Sequence, residues 1–162
     1  MSDAADTPGI LAARDAGIPF EVMRTQRARS AEESAGFQGI AIGQLLRTIV
    51  VRRGADDYVF VLVPGGRRID WAKLRAHLGI RRISLPDKDE AFEATGYERG
   101  AITPFGASHA WPVIADETVR AAGDPVAIGG GAHGVNLHVA AADLLSATDA
   151  TVADVTEPEP EG

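Results

Sequence analysis

The middle of the chain carries the strongest constraint on the fold, a pair of β-rich segments separated by a short polar turn. Leu45–Arg52 and Tyr58–Val63 are rich in branched and aromatic residues, which favour the half-buried surface of a sheet. The intervening Gly54–Asp57 has the composition of a tight turn. The pattern therefore predicts a β-hairpin around which the rest of the domain must pack.

Helices and further strands are predicted on both sides of this hairpin. Helical spacing or capping residues predict helices over 8–17, 30–37, 70–79, 86–94 and around 143–145. Short segments bounded by turn residues predict strands over 19–23, 82–85, 112–115, 126–128 and 135–139. Because few strand–helix–strand crossovers are visible, the sequence predicts a mixed α/β (α+β) class rather than a doubly wound parallel sheet.

Length and composition indicate one globular domain between two loose ends. The chain has 162 residues, of which 45% are apolar and 24% charged, as in ordinary folded proteins. Residues 8–156 are expected to form the domain, whereas 1–7 and 157–162 are expected to be flexible because they have little to bury. The acidic start and the lack of a long apolar run predict a cytoplasmic protein without a membrane segment.

Charge is distributed unevenly along the chain. The formal net charge is −7, yet residues 20–85 carry 12 basic against 6 acidic residues. The acidic total argues against indiscriminate binding of nucleic acid, while the basic part could attract a local run of phosphates. Scattered and solvated arginines are the alternative interpretation.

A glycine-rich motif, Gly129–Gly134, satisfies the G-x-G-x-x-G pattern directly after a predicted strand. In a dinucleotide-binding fold a helix starts at these glycines, so that its N–H groups meet the pyrophosphate. Residues 135–139 instead alternate as a strand does, which argues against that site. Two interpretations remain, a plain glycine turn or a loop whose backbone approaches a ligand closely.

A second cluster of special backbone residues, Gly96–Gly106, includes Gly100 and Pro104 and predicts a sharp loop. Such loops can direct main-chain N–H donors at a carbonyl or at a developing oxyanion. The alternative is an ordinary connection between a helix and a strand.

The residue types present disfavour metal and nucleophile chemistry. The chain has no Cys, and its four His residues lack metal-binding spacing, so no metal site is predicted. Adjacency of Ser108 and His109 does not make a nucleophile–base pair, and no G-x-S-x-G motif is present. Asp116 is expected to cap a helix rather than to form a catalytic pair with Glu117.

Arg47 is unusual because it interrupts an otherwise apolar predicted strand. A guanidinium in such a place needs an anion. Pairing with a carboxylate of the protein is one interpretation, and a cation at the floor of a binding site is the other.

Several segments together resemble the YbaK/ProX family of free-standing aminoacyl-tRNA deacylases, relatives of the editing domain inserted in bacterial prolyl-tRNA synthetases. The resemblance covers nearly the whole domain, and the order and spacing of the segments make it specific. The segments that carry it are Ile18–Val22, Leu46–Val51, Ile69–Leu74, Thr95–Tyr97, Gly100–Gly106, Ile114–Asp116, Gly129–Gly134 and Ala140–Leu144.

This resemblance implies a single-domain, barrel-like fold of mixed sheets with flanking helices. It implies hydrolysis of the ester that joins a wrong, small amino acid to the terminal adenosine of tRNA, with no metal, cofactor or covalent nucleophile. A strand Lys lies near the substrate in the family, the G-x-x-x-P loop holds the aminoacyl group, and a ribose hydroxyl of the substrate helps to position water. The implied partners are the acceptor end of tRNA and an aminoacyl-tRNA synthetase.

The resemblance also assigns site residues. The implied catalytic residues are Arg47, Gly100 and Thr103. The implied substrate-binding residues are Thr25, Ala101, Pro104, Phe105, Gly131, His133 and Asn136.

Four of these positions differ from the family pattern. Arg47 stands where the family has Lys, and the planar guanidinium is bulkier and stays protonated. Ala101 replaces the usual second glycine of the loop, Asn136 a common acid, and Thr25 a common Tyr or His. The leading hypothesis is a trans-editing deacylase, and the alternative is a tRNA-, nucleotide- or protein-binding module that has lost turnover.

Overall fold

A computed structural model describes residues 6–160 of the chain. The helices are α1 (Pro8–Asp15), α2 (Ala31–Gln38), α3 (Trp71–Leu78), α4 (Lys88–Thr95) and α5 (Ala141–Ala147). The strands are β1 (Phe20–Arg24), β2 (Leu46–Gly54), β3 (Asp57–Pro64), β4 (Arg67–Ile69), β5 (Val113–Asp116), β6 (Val126–Gly129), β7 (Val135–Val139), β8 (Thr151–Ala153) and β9 (Thr156–Pro158). Short 3-10 turns occupy Ile42–Gln44 and Glu117–Arg120.

The predicted hairpin is confirmed and forms one side of a four-stranded sheet, with β2 at the edge. β2 pairs antiparallel with β3, from Leu46 opposite Pro64 to Gly54 opposite Asp57. β3 continues the sheet by pairing parallel with β5, which in turn pairs parallel with β8. β3 is buried on both faces, which explains why Tyr58–Val63 contains no charged residue.

A second, three-stranded antiparallel sheet completes the barrel-like core, with β7 between β1 and β6. A parallel bridge between Leu45 and Ala127 joins it to the edge of the four-stranded sheet at β2. The larger core includes Phe60, Leu62 and Leu137, while the opposite face of β3 packs Val59 and Val61 with Leu74 of α3. These features confirm the expected mixed α/β architecture with flanking helices.

The predicted N-cap residues are observed at the starts of the helices. The Ser30 side chain accepts a hydrogen bond from the Glu33 N–H at the start of α2, and Asp70 accepts one from the Lys73 N–H at the start of α3. Asp116 accepts a hydrogen bond from the Thr118 N–H, which confirms its predicted role as an N-cap, here of a 3-10 turn.

Two sequence-based boundaries need correction. The strand predicted over 82–85 is reduced to a single bridge between Arg52 and Ser84, because Arg82, Ser84 and Leu85 are exposed and form no continuing ladder. Residues 157 and 158, predicted to be flexible, belong to β9, which pairs antiparallel with β4. The Glu159 N–H extends this pairing by donating to the Gly66 carbonyl at 2.9 Å.

At the other end, the Thr7 side chain caps α1, and Asp6 forms a 2.8 Å ion pair with Arg14. The rest of the predicted flexible ends, residues 1–5 and 161–162, lies outside the described residues. Within residues 6–160, no helix has the length and apolar character required to cross a bilayer.

Candidate functional site

A cavity of about 480 Å³ opens where the two sheets meet. Residues from four separate segments line it: 25–31 between β1 and α2, 45–49 at the start of β2, 99, 100 and 102 in the loop after α4, and 129 and 132–136 around the glycine-rich motif. The cavity volume lies within the range that is typical of small-ligand sites.

The described lining of this cavity is cationic. Arg27, Arg29, Arg47 and Arg99 contribute to it together with His133, and none of the described lining residues is Asp or Glu. The chain as a whole has a net charge of −7, so this lining departs strongly from the average. A concave surface of one sign concentrates ligands of the opposite sign, which makes the cavity suited to an anionic ligand.

Arg47 lies on β2 at the cavity wall. Its side chain is exposed, and its Nη2 donates a 2.6 Å hydrogen bond to the Arg67 carbonyl. It forms no ion pair with a carboxylate of residues 6–160. The carboxylate pairing considered from the sequence is therefore not observed, and the guanidinium lies at the wall rather than at a buried floor.

The loop after α4 is fixed by buried hydrogen bonds. The hydroxyl of Tyr97 donates to the Phe105 carbonyl at 2.6 Å, which closes the loop on itself. Burial raises the pKa of Tyr97 to about 12, so the hydroxyl remains a donor at neutral pH. The Trp111 ring N–H adds a 2.8 Å bond to the Ala94 carbonyl, which anchors the return of the chain to α4.

Gly100 and His133 meet at the cavity. Gly100 has a φ of +92°, and a Cβ built on it would lie 3.0 Å from His133 Cε1. The same His133 approaches Glu98, with 3.4 Å between Nε2 and Oε2. A side chain at position 100 would be strained by this φ and would crowd the His133 ring, which accounts for the glycine.

Main-chain donors are unequally available in this loop. The Ala101 N–H donates to the Glu98 carbonyl at 2.9 Å, so it is already engaged. The N–H groups of Gly100 and Ile102 donate to no acceptor among residues 6–160. These two donors are therefore not engaged within the described chain.

The glycine-rich motif approaches other parts of the protein closely. A Cβ on Gly129 would lie 3.2 Å from the Ile102 carbonyl oxygen, and one on Gly131 would lie 2.9 Å from the Tyr97 ring. A Cβ on Gly134 would collide with the carbonyl oxygen of Thr25. The glycines therefore let the motif lie between the 25–31 and 99–102 segments, which explains their density without a bound dinucleotide.

The cavity brings together half of the site residues implied by the resemblance. Thr25, Arg47, Gly100, His133 and Asn136 all contribute to its lining.

The other implied site residues lie elsewhere. Thr103 is fully buried, and its Oγ1 accepts a hydrogen bond from the Phe105 N–H. Pro104 and Phe105 line a second, smaller cavity of about 240 Å³. Ala101 is buried and Gly131 packs on Tyr97, so neither lines the main cavity.

Sequence reasoning missed three of the four arginines of the cavity, Arg27, Arg29 and Arg99. The excess of basic residues over 20–85 was a signal for the first two, but charge counting alone does not show which arginines share a surface. Arg99 precedes Gly100 directly, and only the fold shows that this loop lies beside the 129–136 segment.

His138 is buried and forms a hydrogen-bond contact within the protein, so its role is structural. His138 on β7 is buried, and its Nε2 lies 2.8 Å from the Gln38 side-chain oxygen. Burial lowers the pKa of His138, while the charge of Glu21 acts in the opposite direction. Within residues 6–160, no cluster of three or more His, Cys, Asp or Glu side chains is arranged to hold a metal ion.

Comparisons with known proteins relate the chain to tRNA editing. A family model described as an aminoacyl-tRNA editing domain matches residues 25–147. The proline–tRNA ligase of Thermosipho melanesiensis is 31% identical over 100 residues, which are 62% of this chain and 17% of the ligase. EbsC of Enterococcus faecalis, a candidate Cys-tRNA(Pro)/Cys-tRNA(Cys) deacylase, is 27% identical over 141 residues, which are 86% of this chain and 85% of EbsC.

A solved structure shares the fold over nearly its full length. The crystal structure of a candidate trans-editing enzyme for prolyl-tRNA synthetase superposes with a TM-score of 0.83 at 27% identity, covering 90% of this chain and 92% of that one. The chain thus corresponds to 17% of the ligase but to most of the single-domain relatives.

Proposed function

The chain belongs to the aminoacyl-tRNA editing domain family, and on this premise we propose that it hydrolyses the ester of a tRNA charged with a wrong, small amino acid. The observation that carries the proposal is the shared cavity, in which the Arg47 side chain and the Gly100 loop form parts of one cationic wall. Such a wall suits a substrate that joins a nucleotide to a reactive carbonyl. The proposed reaction takes place in the cytoplasm, where tRNA is charged, and the proposed protein partner is an aminoacyl-tRNA synthetase.

The proposed reaction needs orientation more than a strong acid or base. The oxygen of a water molecule bonds to the ester carbonyl carbon, the bond to the ribose oxygen breaks, and the ribose oxygen takes a proton. The products are the free amino acid and the uncharged tRNA. An aminoacyl ester is already activated, so main-chain donors aimed at the oxyanion can supply much of the catalysis.

Two groups of the chain are proposed to act on the reacting ester. The available N–H of Gly100 is proposed to donate to the developing oxyanion, because the adjacent Ala101 N–H is engaged by Glu98. Arg47 is proposed to contact the carbonyl or the terminal nucleotide, since its guanidinium has further N–H donors beyond the one that binds Arg67.

The preference for a small amino acid is supported by the apolar part of the lining. Leu46, Ile102 and Val135 contribute bulky side chains to the same cavity as Gly100. Each methylene that an apolar pocket accepts or rejects changes binding by about 1–3 kcal/mol. We therefore expect discrimination by side-chain volume rather than by a specific polar contact.

One observation favours a binding module without turnover as a second candidate. The Arg47 guanidinium is tied to the Arg67 carbonyl at 2.6 Å and stands where the family has a Lys. An Arg cannot act as a neutral amine, so a mechanism that requires one is lost. Such a protein would bind the acceptor end of tRNA without cleaving the ester.

A deacylation assay distinguishes the two candidates. The full chain is incubated with a panel of tRNAs mischarged with Ala, Ser, Thr or Cys, and the remaining ester is followed over time. The deacylase proposal expects loss above the spontaneous rate for at least one pairing. Spontaneous rates for every pairing, together with retained tRNA binding, would overturn it in favour of the binding module.

Variants at Arg47 test the assigned site. Removal of a charge-assisted hydrogen bond costs about 1.5–3 kcal/mol, so Arg47→Ala is expected to slow deacylation about 10- to 100-fold. Arg75→Ala is the matched control, because Arg75 is exposed on α3 and does not line the cavity. An Arg47→Ala variant that is folded and fully active would show that the site is wrongly assigned.

A further inference from the structure

The arginines of the cavity differ in how they are paired. Arg27 has no hydrogen-bond or ion-pair partner among residues 6–160, and Arg99 has only a 3.5 Å contact to the Pro86 carbonyl. Arg29, by contrast, lies 3.6 Å from Glu33. Besides Arg47, which is proposed to act on the ester, Arg27 and Arg99 therefore line the cavity as exposed guanidinium groups without a carboxylate partner in the described chain.

The glycine-rich motif contacts the two segments that carry these arginines. Gly134 lies against Thr25 and accepts a 2.8 Å hydrogen bond from the Thr25 N–H, which fixes the segment that carries Arg27. Gly129 approaches the Ile102 carbonyl and His133 lies against Gly100, which fixes the segment that carries Arg99. Arg27 and Arg99 thus belong to two separate segments that contact the motif at different glycines.

We propose that Arg27 and Arg99 form a two-armed clamp for backbone phosphates of the single-stranded 3′ end of tRNA. The clamp rests on the proposed function, because that function places the terminal ester at Gly100 and Arg47 and so requires the preceding nucleotides to leave across the cavity rim. Guanidinium groups match phosphate oxygens with two parallel hydrogen bonds, and an unpaired guanidinium has no competing carboxylate to release. Arg29 is left out of the clamp because, unlike Arg27 and Arg99, it has a carboxylate, that of Glu33, within 3.6 Å.

The proposed clamp predicts how strongly RNA binding depends on salt concentration. Each phosphate contact on single-stranded nucleic acid contributes about 0.7 to the slope of log K against log salt concentration. Arg27→Gln and Arg99→Gln are therefore each expected to reduce that slope by about 0.7, and the double variant by about 1.4. Arg75→Gln removes the same charge away from the cavity and is expected to leave the slope unchanged.

The measurement is fluorescence anisotropy of the full chain with a 5′-labelled, uncharged RNA acceptor minihelix that ends in CCA, titrated at several salt concentrations. Circular dichroism confirms that the variants are folded, which is expected because Arg27 has no partner to lose within residues 6–160. The clamp is overturned if both cavity variants keep the wild-type slope. It is also overturned if Arg75→Gln lowers the slope equally, which would indicate a diffuse charge effect.

Competition distinguishes a clamp from a site for one free phosphate. Unlabelled AMP and inorganic phosphate are expected to displace the minihelix far less effectively than an unlabelled CCA trinucleotide. Equal displacement by AMP would mean that one phosphate accounts for the binding and would overturn the two-armed arrangement. The assay uses uncharged RNA, so a protein without deacylase activity can still pass it, and an active deacylase can still fail it.

Discussion

Two neighbouring groups of cations in this protein are held in opposite ways. Three carboxylates, those of Asp116, Asp154 and Glu157, lie around Thr156. Together with the cations that face them, we call them the carboxylate cluster. Arg67, Lys73 and Arg68 approach these carboxylates at 3.8, 3.0 and 3.1 Å, respectively. In the cavity, Arg27, Arg47 and Arg99 have no carboxylate partner among residues 6–160.

The hydrogen bond between Arg47 and Arg67 joins the two groups, so they are direct neighbours in the fold. Separation in space therefore does not explain why only one group has carboxylate partners. Arg67 uses its side chain within the carboxylate cluster and its carbonyl to hold the guanidinium of Arg47. Charge in the cluster is satisfied within the protein and contributes to stability. The guanidinium groups of Arg27, Arg47 and Arg99 have no such partner within residues 6–160, and close backbone contacts at glycines hold the cavity walls instead.

The largest expected effect is on stability, from Asp116→Ala in the carboxylate cluster. Asp116 is buried and accepts hydrogen bonds from the Val155 N–H and the Thr118 N–H, both at 3.0 Å. Each buried donor left unsatisfied costs about 1–3 kcal/mol, so the free energy of unfolding is expected to fall by about 4 kcal/mol in a urea titration. A loss below about 1 kcal/mol, within the range of surface changes, would show that the cluster does not stabilise the fold.

The same carboxylate gives the cluster a pH dependence. Burial alone raises the pKa of Asp116, but hydrogen bonds from Thr118, Val155 and Thr156 outweigh it and leave the pKa below its usual 3.8. The unfolded state therefore binds a proton first as the pH falls, and the stability contributed by Asp116 is lost below about 3.8. Urea titrations at descending pH are expected to show this loss in the wild type and not in Asp116→Ala.

Gly134→Ala is expected to have the next largest effect, on the cavity side of the comparison. Gly134 has a φ of +76°, and an added Cβ would collide with the Thr25 carbonyl. The left-handed backbone costs a non-glycine residue about 1–2 kcal/mol before the steric clash is added. We expect a loss of about 3 kcal/mol in the free energy of unfolding, together with weaker RNA binding as the 25–31 segment is displaced.

Gly36→Ala is the matched control, because Gly36 lies in α2 with open space around its Cβ position. There the substitution is expected to stabilise the protein by about 0.5–1 kcal/mol. Equal destabilisation by both variants would show that neither the left-handed backbone of Gly134 nor its contact with Thr25 is the source of the loss.

The two sides of this comparison were not equally predictable from the sequence. The hairpin over Leu45–Val63 has strong local signals, and Arg47, Gly100 and His133, which the resemblance implies as site residues, line one cavity. The carboxylate cluster was missed because Thr156–Pro158 has no apolar alternation, and its pairing with β4 depends on contacts distant in sequence. Local turn chemistry predicted the loop after α4, but its packing turned Thr103, Pro104 and Phe105 away from the main cavity.

A pair of matched variants tests whether pairing alone determines the role of an arginine. The Arg67 side chain donates to Thr156 Oγ1 at 2.7 Å, whereas Arg47 has only the bond to a carbonyl. Arg67→Gln is expected to lower the free energy of unfolding by about 1–2 kcal/mol, and Arg47→Gln by less than about 0.5 kcal/mol. The rate of deacylation is expected to fall in Arg47→Gln. A loss of unfolding free energy of similar size in both variants would contradict the distinction between the two groups.

The smallest effect is expected within the carboxylate cluster itself, at Arg68. Its ion pair with Glu157 has side chains that are 52% and 39% exposed, so water and salt screen the attraction. Exposed pairs contribute little, and Arg68→Gln is expected to lower the free energy of unfolding by less than about 0.5 kcal/mol. That difference should vanish at about 1 M salt, where the screening length falls to roughly 3 Å. If Arg68→Gln instead costs as much as Arg67→Gln, and the cost persists at high salt, the ion pairs of the cluster act as one cooperative network. In that case the presence of a carboxylate partner, and not burial beside Asp116, distinguishes the structural cations from those of the cavity.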